Sequence, residues 1–161
     1  MAHKELWLLR HGDSEPGDGD DAARRLTDRG EHQARDAGLA LAALGLHFVA
    51  ALTSPRVRAH DTARLACGPL GIEPVEHGPL SQGFDSDDAL SVMAGHEAGA
   101  VVLVVGHEPD LSEVVFDLTG ARIDLKKGGV AGLRLEGARS ELVALLRPQE
   151  LSALAAFGAT A

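Results

Sequence analysis

Tyrosine is absent from this 161-residue chain, and aromatic residues of any kind make up only 3% of it. A platform on which nucleic-acid bases stack is therefore implausible. The single cysteine, Cys67, rules out an internal disulfide framework and a cysteine-rich metal site. It lies in Ala63-Arg64-Leu65-Ala66-Cys67, a helical pattern, and reads there as a small buried hydrophobe. No apolar run approaches the ~20 residues that span a bilayer, and no N-terminal signal pattern is evident. The expectation is a soluble, cytoplasmic protein without a membrane partner.

Positive charge is also in short supply. The net charge is −9: residues 1–64 hold nine basic and ten acidic side chains, the remainder six and fourteen. General binding to nucleic acid or to an anionic membrane needs a cationic footprint, which an acidic surface lacks. Eight of the twelve arginines precede residue 65. Any anion site must then be a local arginine pocket inside a repulsive field.

What the chain does have is a 45% hydrophobic composition, enough for one domain over residues 1–161 with a proper core. Leu6-Trp7-Leu8-Leu9 runs apolar without a break and stops at Arg10-His11-Gly12. Such a run fits a strand buried on both faces, as in a parallel sheet. Ligands of open α/β sheets bind outside the carboxyl ends of the strands, where Arg10 and His11 would stand. Gly12 lets the backbone turn there at little steric cost.

Two later segments end the same way. The strand Phe48 to Thr53 runs into Ser54-Pro55-Arg56-Val57-Arg58, with Ser54 read as an N-cap and Pro55 as the first helical residue. Arg58 then lies one turn into a helix whose N-terminus favours anions. Arg56 and Arg58 are two apart, so only one is expected to enter the pocket, and His60 is expected on the surface. Gly99 to Val105 is the most strand-like run and stops at Gly106-His107-Glu108-Pro109. Asp110 with Glu113 resembles a capping box opening a helix from Leu111 to Leu118.

Between these elements, Asp13 to Asp21 reads as a solvated acidic loop, followed by a helix starting at Thr27 or Asp28 and stopping at Gly45. Glu73-Pro74-Val75-Glu76 is a candidate edge strand, Pro79 to Asp88 a loop and Asp87 to Ala94 a short helix. Antiparallel strands are expected around Val130 to Leu135 and Leu142 to Leu146, then a helix from Pro148 to Phe157. The predicted fold is α/β, a three-layer α/β/α sandwich with a mostly parallel central sheet.

Arg10, His11, Arg58 and His107 together make a coherent phosphoryl-transfer set. A neutral imidazole can attack phosphorus and split one hard step into two. Guanidinium groups match phosphate oxygens bidentately and stabilise charge on the transferring group.

With Leu9-Arg10-His11-Gly12, the block Ser54-Pro55-Arg56-Val57-Arg58-Ala59-His60-Asp61-Thr62-Ala63 and Gly106-His107-Glu108-Pro109, the chain resembles the histidine phosphatase superfamily, the phosphoglycerate-mutase-like fold. Leu26-Thr27-Asp28-Arg29-Gly30-Glu31-His32-Gln33-Ala34 resembles that family's first helix. The short length and Leu125-Lys126-Lys127-Gly128-Gly129 look most like the small branch of SixA-type phosphohistidine phosphatases. The resemblance implies that His11 is the nucleophile and that Arg10, Arg58 and His107 bind the phosphoryl oxygens. It implies no metal and no organic cofactor. The implied partner is a protein carrying phosphohistidine or a small phosphorylated metabolite.

Larger members of the family carry an acidic proton donor in the loop after the third strand. Here that loop reads Leu80-Ser81-Gln82-Gly83-Phe84-Asp85, without a glutamate. Another branch uses an Asp directly after the second histidine, where this chain has Glu108, a candidate catalytic acid. Two other readings compete: a non-catalytic phosphoanion-binding module of the same fold, and a zinc site using His11, His60 and His107. The zinc site is disfavoured by the repulsion of Arg10 and Arg58 and by the lack of carboxylate or cysteine at ligand spacing.

Overall fold

The apolar run Leu6 to Leu9 forms the middle of strand β1 (Lys4–Arg10) in the computed structural model, which describes residues 2–160. Successive side chains of a strand point to opposite faces. Leu6 and Leu8 therefore enter one core and Trp7 and Leu9 the other. Among the described residues the chain continues through α1 (Asp28–Ala43), β2 (Ala50–Thr53), α2 (Val57–Leu70), β3 (Pro74–Glu76) and α3 (Ser86–Ala94). β4 (Val101–Gly106), α4 (Asp110–Thr119), β5 (Val130–Glu136), β6 (Arg139–Leu146) and α5 (Pro148–Thr160) complete it. Short 3₁₀ turns occupy Asp21–Ala23 and Gly78–Ser81.

The six strands form one sheet in the order β3-β2-β4-β1-β5-β6. The first four are mutually parallel, and β5 and β6 add an antiparallel edge. Helices cover both faces, as the buried strands require. Ala37, Ala40 and Leu41 of α1, Ala59, Ala63 and Ala66 of α2, and Leu151 of α5 pack on Trp7, Leu9, Leu103 and Val105. Met93 of α3 with Leu111, Val114 and Val115 of α4 covers Leu6, Leu8, Val102 and Val104. This is the expected three-layer sandwich with a mostly parallel sheet. Cys67 is buried beside α1, in the small apolar role read from its helix.

Local differences from the expected elements have local causes. Thr27 caps α1 by accepting the N–H of Gly30 at 3.0 Å. α2 begins at Val57 rather than Pro55, so Ser54 is not its cap, although its hydroxyl accepts the N–H of Arg56. Asp110 does not open a capping box either. Pro109 is the N-cap of α4, and the Asp110 carboxylate instead accepts the N–H of Gly83 at 2.9 Å. A capping box does form at α3, between Asp85 and Asp88, and the helix begins at Ser86, one residue before it was expected to.

Candidate active site

Strand register brings the candidate residues together. Arg10 pairs with Gly106 across β1 and β4, so His11 and His107 leave adjacent strand ends. Their rings stand 5.3 Å apart, centroid to centroid. Thr53 of β2 pairs with Val105 on the other side of β4, which sets Ser54 beside His107. The Ser54 hydroxyl lies 2.8 Å from His107 Nε2. Arg58, in the first turn of α2, completes the group and is buried. Sequence order separates these residues by up to 97 positions, from Arg10 to His107; the sheet order removes that distance.

The His11 ring is oriented by its own neighbour. Nδ1 is 2.7 Å from the carbonyl oxygen of Gly12. A carbonyl only accepts, so in the neutral ring Nδ1 carries the hydrogen and Nε2 keeps its lone pair. Burial above all lowers the His11 pKa to about 4, with help from the charges of Arg58, Arg10 and Lys127 and against the Gly12 hydrogen bond. Burial, then His11, Arg58 and Arg56, lowers His107 to about 3, with Asp21 opposing. Both imidazoles are thus neutral at physiological pH.

The backbone around His11 is fixed from three sides. The Gly12 N–H donates to Thr62 Oγ1 at 3.1 Å, and the Thr62 hydroxyl donates to the Arg58 carbonyl at 2.7 Å. Gly128 donates its N–H to the carbonyls of Arg10 and His11, at 3.1 and 2.9 Å. The Gly12 turn also meets α1 at close range: a Cβ there would lie 2.5 Å from the Gly30 carbonyl oxygen. Gly12 has no positive φ. Its lack of a side chain serves close approach rather than the turn conformation first expected.

Arg10 donates from Nη1 to the Leu125 carbonyl at 3.0 Å, and its Nε is buried without a partner. Burial lowers its pKa, opposed by Glu108 and Asp124. Arg58 presents Nη1 to the carbonyl of Asp21 at 2.8 Å and Nη2 to Asp21 Oδ2 at 3.1 Å, again with Nε buried and unpartnered. Arg56 also pairs with Asp21 Oδ2 and reaches Ser81 from Nε at 3.2 Å. Both guanidiniums of the pair therefore meet at Asp21, while only that of Arg58 is buried.

Glu108 sits at the start of α4 with both oxygens engaged. Oε1 accepts the N–H of Ser112 at 2.8 Å, and Oε2 accepts the Ser112 hydroxyl hydrogen. Ser112 Oγ in turn accepts the N–H of Leu125 at 3.3 Å, the residue whose carbonyl holds Arg10. His60 lies outside this group and faces Glu76 at 3.8 Å. Among the described residues no set of three His, Cys, Asp or Glu is close enough to hold a metal ion. A groove of about 740 Å³ opens beside Arg10, with Arg29, Lys126, Lys127 and Arg147 on its walls and Asp13 among them.

Ser54, Thr62, Arg56 and Asp21 are the residues that sequence reasoning left without a site role. Ser54, Arg56 and Thr62 lay inside the quoted Ser54 to Ala63 block, so spacing there held the signal. Asp21 lay in a loop whose return to α2 no local pattern announces.

The family model of the histidine phosphatase superfamily (branch 1) matches residues 6–81. An uncharacterized protein of Picosynechococcus sp. is 37% identical over 162 residues, covering 91% of this chain and 98% of that relative. A 2,3-bisphosphoglycerate-dependent phosphoglycerate mutase of Parvibaculum lavamentivorans is 38% identical over 106 residues, covering 52% of this chain and 47% of the mutase. Among solved structures, the protein histidine phosphatase SixA complexed with tungstate has a TM-score of 0.80 at 21% identity, covering 91% of this chain and 99% of that one. A putative phosphohistidine phosphatase SixA from Nakamurella multipartitia has a TM-score of 0.75 at 25% identity, with 92% and 98% covered.

Proposed function

Since this chain belongs to the histidine phosphatase superfamily, we propose that it is a phosphatase working through a phosphohistidine formed on His11, with a phosphohistidine-bearing protein as substrate. The carrying observation is the His11 ring, buried, neutral and tied through Nδ1 to Gly12 so that its Nε2 lone pair is available. In the first step that lone pair attacks phosphorus and the bond to the leaving group breaks, the leaving group keeping the electron pair. Arg10, Arg58 and His107 hold the phosphoryl oxygens as charge develops on them. In the second step water attacks phosphorus, the Nε2–P bond returns its pair to His11, and inorganic phosphate leaves. No step requires a cofactor.

Two features support phosphohistidine over an alkyl phosphate. The candidate acid Glu108 has both oxygens occupied by Ser112, so proton delivery from it to an alkoxide is poorly served. An imidazole leaves more readily than an alkoxide and depends less on that proton. The groove beside Arg10 is moreover open enough to receive a stretch of polypeptide next to the phosphoryl site. A small phosphoester remains the alternative substrate.

The test is to trap the phosphoenzyme with a phosphohistidine protein in excess chelator. An acid-labile phosphoenzyme should form, and His11→Ala should abolish both it and turnover while the fold is unchanged. Arg58→Ala should leave an enzyme slower by on the order of 100-fold or more. Wild-type hydrolysis by His11→Ala would end the covalent mechanism. Phosphate binding without turnover in the intact protein would point to the binding-module alternative.

A further inference from the structure

Arg58 is the buried guanidinium at the mouth of the site, and both of its terminal nitrogens are already engaged. Each makes one hydrogen bond to the same residue, Asp21, through its carbonyl and its carboxylate. That is the two-point pattern by which an arginine grips a phosphoryl group. The Asp21 carboxylate also takes Arg56 on the same oxygen and Arg24 on the other, the latter at 3.1 Å. Arg24 first, then Arg58 and Arg56, hold Asp21 below the usual carboxylate range, so it is an anion at neutral pH.

Its surroundings suit a group that exchanges rather than one built in. The Asp21 side chain is 52% exposed, whereas that of Arg58 is 6%. The base of its loop is tied by the Ser14–Leu26 bridge, by Glu15 N–H to the Arg25 carbonyl at 2.8 Å, and by Thr27 N–H to the Asp13 carbonyl at 3.0 Å. The intervening stretch from Glu15 to Ala23 is exposed throughout. Leaving Arg58 would still leave Asp21 its bonds to Arg24 and Arg56. The loop can therefore release the clamp without unfolding its base.

We propose that Asp21 is a specificity-determining residue, an internal stand-in for a phosphoryl group that a ligand must displace from Arg58. The proposal rests on Arg58 receiving the phosphoryl group, as argued above. A monoanion offers Arg58 no more charge than the carboxylate already there, so it gains nothing by the exchange. A phosphoryl dianion brings twice the charge and engages Arg10 as well. Asp21 thereby screens out carboxylates and other monoanions from the pocket.

The test uses inorganic phosphate and acetate as probes, with dissociation constants measured by calorimetry at constant ionic strength. Asp21→Asn should tighten phosphate binding by on the order of tenfold, since the competing charged hydrogen bonds are lost. It should also narrow the preference for phosphate over acetate. Arg58→Ala is the control for the site itself and should weaken phosphate binding. If Arg58→Ala changes nothing, the assignment of the clamp fails. If Arg58→Ala weakens phosphate binding but Asp21→Asn leaves it equal or weaker, Asp21 merely orients Arg58 and the displacement idea alone is overturned.

Discussion

The Cβ that Gly30 lacks would lie 1.9 Å from the carbonyl oxygen of Asp13, two residues beyond the His11 ring. The contact is reciprocal, because a Cβ on Gly12 would lie 2.5 Å from the Gly30 carbonyl. Neither glycine has a positive φ, so both are needed for room rather than for an unusual conformation. The first turn of α1 is thus pressed directly against the turn that carries His11.

Gly30→Ala should therefore damage both fold and site. Backbone cannot yield as a flexible side chain does, so the overpacking cost should fall at about 1–3 kcal/mol. Shifting the Asp13 backbone moves His11, and activity should drop by more than tenfold in the folded fraction. Thermal unfolding and kcat measured on the same preparation check this. An unaltered kcat would mean that α1 gives way rather than the His11 turn.

The two imidazoles set a second expectation, for pH. Both folded-state pKa values, about 4 for His11 and about 3 for His107, lie below the ordinary value of 6.5. Between these limits the unfolded chain binds more protons than the folded one. Stability from this source is intact above pH 6.5 and is lost as the pH falls through 6.5 towards 3. The His11 ring signals in an NMR titration should show a midpoint near pH 4. A midpoint near 6.5 would remove the argument for a neutral nucleophile.

Much of the fold was legible because it follows from periodicity. Leu6 to Leu9 and Gly99 to Val105 read as buried strands, and they form the adjacent pair at the sheet centre, the second starting at Val101. Arg10, His11, Arg58 and His107 were legible because each follows such a strand. What escaped depended on returns of the chain through space. Asp21 was read as one acid in a solvated loop, and its contact with Arg58, 37 residues on, has no local signature. Ser54 looked like a helix cap because Ser-Pro commonly is one. Register with β4 instead turns its hydroxyl to His107. Asp110 was read as a cap because Glu113 stands three residues on, but its carboxylate accepts the Gly83 N–H, and Glu108, two residues earlier, holds the first turn of α4.

The links from Glu108 through Ser112 and Leu125 to Arg10 predict a particular kinetic pattern. Glu108→Gln and Ser112→Ala should lower turnover of aryl phosphate, alkyl phosphate and phosphohistidine by similar factors. The cause would be a loosened Leu125 loop and a misplaced Arg10. A proton donor would behave differently, with alkyl phosphate suffering most, by as much as ~10²–10⁴-fold. The ratio of losses between alkyl phosphate and phosphohistidine decides between these roles.

Cys67 offers a simple check on the core between α1 and α2. Burial, followed by the charge of Glu73, pushes its thiol up to about 12. The nucleophile in thiol chemistry is the thiolate, so native Cys67 should resist aromatic disulfide reagents at pH 8. It should react fully in denaturant. Rapid labelling of the native protein would show that the α1–α2 contact opens freely.

The groove beside Arg10 provides the last prediction, because it bears on the choice between a protein and a small substrate. Arg29 and Lys126 stand on its wall in a chain whose net charge is −9. A phosphohistidine segment with acidic neighbours would gain there, whereas an aryl phosphate is too small to reach both. Two exposed charges contribute on the order of 1 kcal/mol each at close range in water. Arg29→Glu combined with Lys126→Glu should then raise KM for an acidic phosphohistidine protein by about tenfold or more. The same variant should leave kcat and the aryl phosphate KM within twofold, since neither residue is one of the four, Arg10, His11, Arg58 and His107, assigned to phosphoryl transfer. Added salt should shrink the wild-type advantage, because exposed charges are screened beyond ~10 Å at 0.1 M. Equal KM changes for both substrates would assign the groove to the phosphoryl site itself. No change for either would leave the protein substrate unsupported and turn attention to small phosphoesters.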